Sequence, residues 1–387
     1  MARLSTLGAR LYRGETAYDF VGKRKFWYAI SVLLVIVSLT GLGVRGLFLG
    51  VEFQGGAVYN TPDSSSLTVE EAREVVRETV DQEARVQTVG DSGALRIQVT
   101  DLETEQSDVT RAAIADAAGV PVEQVDAELV GPSWGEQMTE KAFQGMIIFM
   151  VLVCVYLAIT FEWRMSLAAM VALLFDLIIT IGVYALAGFE VTPGTVVGLL
   201  TILSYSIYDT VVVFDKAQEK TADLEKQSRF TYGELSNQAV NATIVRSMNT
   251  SITGALPVAA LLFIGTGLLG GGMLKDIALP LLVGLIAGTY SSLFIAVPVV
   301  VDFKLRDPAI RGHERNVLAK RAERGGSAPS PAAGQPKSGL PGQGGEDRTE
   351  EEADAAAHAA ATGQVTVERR QPVSRGRNRG RPSGKRR

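Results

Sequence analysis

Six stretches of this chain, 26–44, 142–161, 166–186, 196–214, 247–269 and 277–301, are long and apolar enough to cross a bilayer. A hydrocarbon core about 30 Å thick takes roughly 20 apolar residues at about 1.5 Å rise each. Because the apolar residues fall in blocks rather than in the scattered pattern of a soluble core, the chain is expected to be a polytopic α-helical membrane protein. The first stretch is long for a signal-peptide core and no small-x-small cleavage site follows it before Arg45, so it is expected to stay as an anchor.

The distribution of Lys and Arg sets the expected orientation. Arg3, Arg10, Arg13, Lys23, Arg24 and Lys25 precede the first span, whereas residues 51–142 carry 6 Lys or Arg against 19 Asp or Glu. The N-terminus is therefore expected in the cytoplasm and the acidic segment outside it. Lys216, Lys220, Lys226, Arg229 and Arg246 then mark 215–246 as a return to the cytoplasm, and six spans leave the C-terminus there too. The lone cysteine, Cys154, excludes a disulfide framework. The two histidines, His313 and His358, lie beyond the last span, which argues against a His-based metal site or proton relay in the membrane.

Between the first two spans the pattern is that of a folded α+β domain. Thr68 and Glu71 form a capping box ahead of a helix over about 69–81. Alternating runs at 84–89 and 94–99 read as a hairpin, a second helix is expected over about 107–118, and strands over 56–60 and 124–130 complete the order βαββαβ. That order suggests a ferredoxin-like split βαβ fold. The expected organisation is a cytoplasmic N-terminus over 1–25, a first transmembrane helix over 26–49, an extracytoplasmic ferredoxin-like domain over 50–141, five further helices over 142–303, and a tail over 304–387. From Asp307 the composition turns to Gly, Pro, Ser, Ala and charge, which predicts disorder. The last 19 residues, 369–387, hold nine Lys or Arg and no acid. A solvated end, or contact with anionic lipid or RNA, are the readings of that run.

Charged groups inside spans are costly and mark candidate sites. Asp209 lies roughly 20 Å into a 30 Å core. Thr201 and Tyr205 precede it at i−8 and i−4, giving a polar stripe on an apolar helix. In the fifth span Arg246, Asn249, Thr250 and Thr253 stand at i, i+3, i+4 and i+7 and share one face, so an Asp209–Arg246 pair is allowed. Asp176, about 15 Å deep in the third span, is a second carboxylate able to relay protons or to anchor a hydrogen-bond network. A static ion pair that holds helices together and a snorkelling Arg246 are the structural alternatives. Gly284-x-x-x-Gly288 reads as a helix-packing motif, and the glycines of 265–272 as a turn at a span end.

At these residues the chain resembles the SecF family, the smaller half of the bacterial SecDF auxiliary complex of the general secretion translocase and a branch of the RND superfamily. Gly50-Val51-Glu52-Phe53-Gln54-Gly55-Gly56, Val130-Gly131-Pro132-Ser133-Trp134-Gly135, the run from Ser206 to Asp215, Asn241 through Thr253, and Gly288-Thr289-Tyr290-Ser291-Ser292 are similar to five of its motifs, in order. Three positions depart from the family pattern: Tyr208 stands where Asn is usual, Phe175 where His precedes the aspartate, and Lys216 where Arg follows Asp215. The resemblance implies a half-unit that pairs with SecD, assists the SecYEG channel and SecA motor in moving an exported polypeptide, and draws on the proton-motive force. It aligns the family's proton-path aspartate with Asp209 and its arginine with Arg246. No catalytic role and no bound cofactor or metal is expected. An RND-type exporter of a small molecule or lipid, a scaffold without turnover, and an aspartyl protease using Asp176 and Asp209 are the rival readings.

Overall fold

The computed structural model describes residues 18–63, 67–89, 93–100, 102, 104–267 and 273–323. The expectations for the basic end and for the glycine-rich turn at 268–272 lie outside the described residues. Six helices among those described are long and apolar enough to cross a membrane. They are α1 (Arg24–Arg45), α5 (Pro132–Thr160), α6 (Trp163–Ala187), α7 (Pro193–Thr221), α8 (Tyr232–Gly267), and a sixth unit. That sixth unit consists of α9 (Met273–Ser291), a π-helical turn (Ser292–Ala296) and α10 (Val297–Lys304).

Between α1 and α5 the chain runs through β1 (Phe48–Leu49), the short α2 (Val51–Gln54), β2 (Gly56–Asn60), α3 (Val69–Val80), β3 (Ala84–Val89), β4 (Ala94–Thr100), α4 (Thr104–Ala118) and β5 (Asp126–Val130). Strands β2 to β5 form one antiparallel sheet in the order β3-β4-β2-β5. Each strand-helix-strand crossover therefore leaves a gap that a strand of the other half fills. Helix α3 begins where the sequence places it, because Thr68 Oγ1 accepts from the Glu71 backbone N–H and the Glu71 carboxylate accepts from that of Thr68. It stops at Asp81, which takes a left-handed conformation at φ 54°. One face of the sheet packs Tyr59, Ile97 and Val99 against Val76 and Ile114 of the two helices, all fully buried. The Tyr59 hydroxyl, carried into that core, donates to the Ser107 carbonyl at 3.1 Å.

The opposite sheet face rests on the ends of the membrane helices. Strand β1 pairs in parallel with β6 (Glu190–Val191), which follows α6. Gln98 of β4 donates to Glu190 at 2.6 Å, and Arg85 of β3 donates to the Gly188 carbonyl while its guanidinium covers the Phe48 ring at 3.8 Å.

Helix α7 lies at the centre of the bundle. Thr192 caps its start together with Thr195, and Pro193 occupies a first-turn position where no N–H is needed. Glycines bring its neighbour α9 close: a Cβ on Gly284 would stand 2.6 Å from Ile202, and one on Gly288 would stand 2.9 Å from Ser206. The packing reading of that pair holds. Gly41 and Gly182 serve the α1–α6 contact in the same way. Helix α5 is peripheral, with Gly135, Val153 and Leu157 its buried residues.

The helix that carries the fifth apolar stretch does not begin near residue 247 but well before it. Thr231 and Glu234 form a capping box that starts α8 at Tyr232, and Asn237 and Asn241 on this polar first part accept from the backbone N–H groups of Phe20 and Tyr18. Nor does order end at Asp307. Residues Pro308–Glu323 form α11, held by a two-pronged Arg321–Glu234 ion pair at 2.9 Å and by buried Val317. Composition alone suggested disorder because the partner of Arg321 lies 87 residues away.

The glycine contact predicts that Gly288→Val destabilises the bundle by about 1–3 kcal/mol, the usual cost of overpacking. Gly145→Ala, where an added Cβ meets nothing within 4 Å, should be neutral. Thermal unfolding of the detergent-solubilised chain measures both.

Candidate functional site

The inward stripe of α7 is Ile202, Ser206, Asp209 and Val213, spaced four, three and four residues apart and therefore on one face. Asp209 is 7% exposed. Its Oδ2 accepts from Ser247 Oγ of α8 at 2.6 Å and from Ser292 Oγ of the π-helical turn at 2.5 Å. Asp176 on α6 is 2% exposed and accepts from Ser206 Oγ, while its Oδ1 is buried with no hydrogen-bond partner among the described residues. Ser291, fully buried, stands beside Asp176. The successive residues Ser291 and Ser292 thus reach toward different carboxylates. A π-helical turn makes that local rearrangement, and such turns recur at functional sites.

A polar seam continues between α8 and α9. The Ser251 and Thr289 hydroxyls are 2.7 Å apart, and the Tyr205 hydroxyl donates to the Thr250 carbonyl at 2.7 Å. The crevice beside Asp209, lined by Tyr205, Ser206, Ser251 and Gly288, is too small to hold a water molecule. Burying a charge is costly unless it is paired or hydrogen-bonded. Here hydroxyls alone supply the partners: no Lys, Arg or His forms an ion pair with either carboxylate among the described residues.

The expected Asp209–Arg246 contact is absent among the described residues. Arg246 is exposed and donates through Nη2 to the Tyr208 hydroxyl at 3.3 Å. Asn249 and Thr253 are exposed beside it, Thr250 is half-buried, and Thr201 faces outward while Tyr205 is half-buried. The spacing identified residues that share a face of α8, but it is Ser247, one position past Arg246 and about 100° around the helix, that turns toward α7 and α9. Sequence reasoning missed Ser206, Ser247, Ser251 and Ser292 as carboxylate and seam partners. The available signal was the i−3 spacing of Ser206 from Asp209 and the i, i+4 pair Ser247 and Ser251, about a third of a turn around α8 from the more conspicuous Asn and Thr. No group of three His, Cys, Asp or Glu suited to a metal ion occurs among the described residues.

A second group of ionisable residues lies at the junction of the sheet and the bundle. The Glu52 and Glu190 carboxylates converge over Gly50, with oxygens 2.4 Å and 2.8 Å from where its Cβ would stand. Burial, reinforced by the charges of Glu190 and Asp276, pushes the Glu52 carboxyl up from the usual carboxylate range.

A six-helix membrane bundle with carboxylates sealed between its helices by hydroxyls belongs to the class of integral membrane transport proteins. The family described as "Protein export membrane protein SecD/SecF, C-terminal" matches residues 110–306. The protein translocase subunit SecF of Streptomyces coelicolor is 54% identical over 387 residues, covering 100% of both chains. That of Mycobacterium tuberculosis is 40% identical over 323 residues, 81% of this chain and 73% of the relative. The crystal structure of SecDF, a translocon-associated membrane protein, from Thermus thermophilus superposes with a TM-score of 0.66 at 30% identity, covering 75% of this chain and 39% of that one. The chain belongs to the SecF family of protein translocase subunits.

Two outcomes check the site and its junction. Ser247→Ala and Ser292→Ala each remove a donor from a buried carboxylate and should cost about 1–3 kcal/mol, whereas Arg246→Ala, at an exposed position, should stay within about 0.5 kcal/mol. The measurement is thermal unfolding of each purified variant. For Glu52, a raised native value means that the folded state binds the proton more tightly, so its contribution to stability falls as pH rises from the ordinary carboxylate range through the raised value. Glu52→Gln should therefore remove that decline and raise the melting temperature at neutral pH, as read from melting curves across the acid-to-neutral range.

Proposed function

We propose that this chain is the SecF-type half of a translocase accessory complex that pairs with SecD and uses the proton-motive force to assist late steps of protein export. The observation that carries this reading is Asp209, buried at a helix crossing and hydrogen-bonded by the Ser247 and Ser292 hydroxyls. As a carboxylate it accepts both hydroxyls at the single oxygen Oδ2; a proton taken up at that oxygen makes it a donor, so that one serine turns its hydroxyl or lets go. Ser292 sits on the π-helical turn, and its release shifts the junction between α9 and α10. Asp176 receives the companion hydroxyl, Ser206, from the same helix as Asp209, which makes it the second stage of the relay or its anchor. Because the crevice beside Asp209 admits no water, proton entry requires the helices to part. One charge moved across 100 mV supplies about 2.3 kcal/mol for that motion.

The outward face with Arg246, Tyr208, Asn249 and Thr253 is poorly suited to lipid, and we assign it to a helix of the SecD partner. Support comes from SecDF of Thermus thermophilus, a single longer chain of which this one matches 39%. In this reading Arg246 acts across that interface, with Thr201, Tyr205 and Thr250 lining its edge. The Lys and Arg bias puts both termini in the cytoplasm and the sheet domain outside the cell membrane, where the exported polypeptide emerges after SecA and SecYEG have begun transfer. The proton gradient is the energy source, with no resident cofactor. The basic end of the tail is available for anionic lipid or RNA.

The test is export of a reporter preprotein in cells depleted of the native subunit. Asp209→Asn, present at normal abundance, should fail to rescue, and Arg246→Met should lose both rescue and copurification with SecD. Full rescue by Asp209→Asn would reduce Asp209 to a packing residue and remove proton coupling from the function.

A further inference from the structure

Tyr205 lines the crevice beside Asp209 and stands on the domain side of that carboxylate. Helix α7 starts at Pro193, just after β6, and β6 pairs with β1 at the entry to the domain. Tyr205, four residues before Asp209, is therefore about 6 Å nearer the domain. Helix α8 runs the opposite way, since Asp209 meets Ser247 while Tyr205 meets Thr250. Toward the domain the seam thus passes from Asp209, through the Ser251 and Thr289 hydroxyls, to the Tyr205 ring.

That ring ends on bare backbone. A Cβ on Gly254 of α8 would stand 3.1 Å from the Tyr205 hydroxyl oxygen and 3.8 Å from Leu285 of α9, so the tyrosine, the glycine and the leucine meet at one point. The hydroxyl donates to the Thr250 carbonyl at 2.7 Å and so bridges α7 to α8. The other wall has no such movable part. Where α7 meets α9, Gly284 and Gly288 set the helices too close for side chains to swing. On its far side α8 is little held: Ile252 and Leu256 are 53% and 64% exposed. Ser251 and Thr289 each donate to the carbonyl one turn back, and neither touches a carboxylate. The pair therefore has no share in holding Asp209 or Asp176, and it lies where a file of water would run.

We propose that Tyr205 is the gate on the domain-side approach to Asp209. While its hydroxyl holds the Thr250 carbonyl, α7 and α8 stay latched and the seam is closed to water. When that bond opens, the ring leaves Gly254 and water reaches Ser251, Thr289 and the carboxylate. A neutral hydrogen bond has a small net worth, so the latch opens without unfolding either helix. Tyr205 is a positioning residue, and its role rests on the proton-coupled reading of Asp209. Tyr208, three residues on, is the natural contrast, because its hydroxyl accepts from Arg246 on the exposed face and lines no part of the crevice.

The experiment follows Ser251→Cys in the full chain with the one native cysteine, Cys154, replaced by alanine. A membrane-impermeant cationic methanethiosulfonate is added to membrane vesicles of either sidedness. With Tyr205 in place, labelling should be slow from both sides. Tyr205→Phe should speed it about three- to tenfold, the worth of one hydrogen bond, and Tyr205→Ala should speed it further, in both cases from the domain side alone. Tyr208→Phe should leave the rate unchanged, which separates a gate from a general loosening of the bundle; melting temperatures are measured alongside. If Ser251→Cys does not fold, modification of Asp209 by a water-soluble carbodiimide, read by peptide mass, compares Tyr205 with Tyr205→Phe under the same expectation. Rates indifferent to Tyr205, an equal rise in Tyr208→Phe, or a rise from both sides would each overturn the proposal. None of these readings involves export. Full rescue of export by Asp209→Asn would remove proton coupling and leave the labelling result standing, whereas labelling indifferent to Tyr205 would remove the gate and leave Asp209 its role.

Discussion

The separation of α7 and α9 governs the rest of the bundle. Ser292, just past the end of α9, reaches Asp209 because Gly284 and Gly288 let the two backbones approach to a distance that a larger side chain would disturb. Without a hydrophobic force between helices in lipid, this association rests on close packing and interhelical hydrogen bonds. The two are linked here, since the glycines set the distance and the serines use it. Among the described residues neither carboxylate has a cation for a partner, so hydroxyls alone hold the site.

The parts of this structure that were legible in the sequence are those decided locally. Six apolar blocks define six crossings because hydrocarbon thickness is a fixed ruler, and the Thr68–Glu71 box fixes the start of α3 within four residues. Asp209 declared itself by being a charge where charge is costly. The facing of α8 was not legible. Arg246, Asn249 and Thr253 share one side, as their spacing requires, but which side of a helix turns inward depends on what surrounds it. A chain that leaves its most polar membrane face uncovered misleads any rule that puts polar groups inside. The order of α11 escaped for a related reason, because its ion pair is made with a residue far away in the chain.

The serines were overlooked because serine in a membrane helix is ordinary. A hydroxyl can satisfy itself on the carbonyl one turn back, as Thr201, Thr253 and Thr289 do. Ser247, Ser206 and Ser292 differ in reaching across to carboxylates, and only the packed arrangement separates the two behaviours. The polar residues with the most conspicuous side chains therefore face away from the buried carboxylates, and the smallest ones hold them.

The two-residue pairing of β1 with β6 has a mechanical consequence. It ties the exit of α1 to the exit of α6, and β2 follows β1 after a single short turn of helix. The domain is thus fixed at that clamp and, through β5, directly on the start of α5, rather than hung from a flexible tether. Because Arg85 and Gln98 grip the same loop, an axial slide of α6 would be passed to the sheet as a tilt about that clamp, with the length of the domain as the lever arm. A sub-ångström adjustment at Asp176 would in this way be geared up into a larger sweep at the far edge of the sheet.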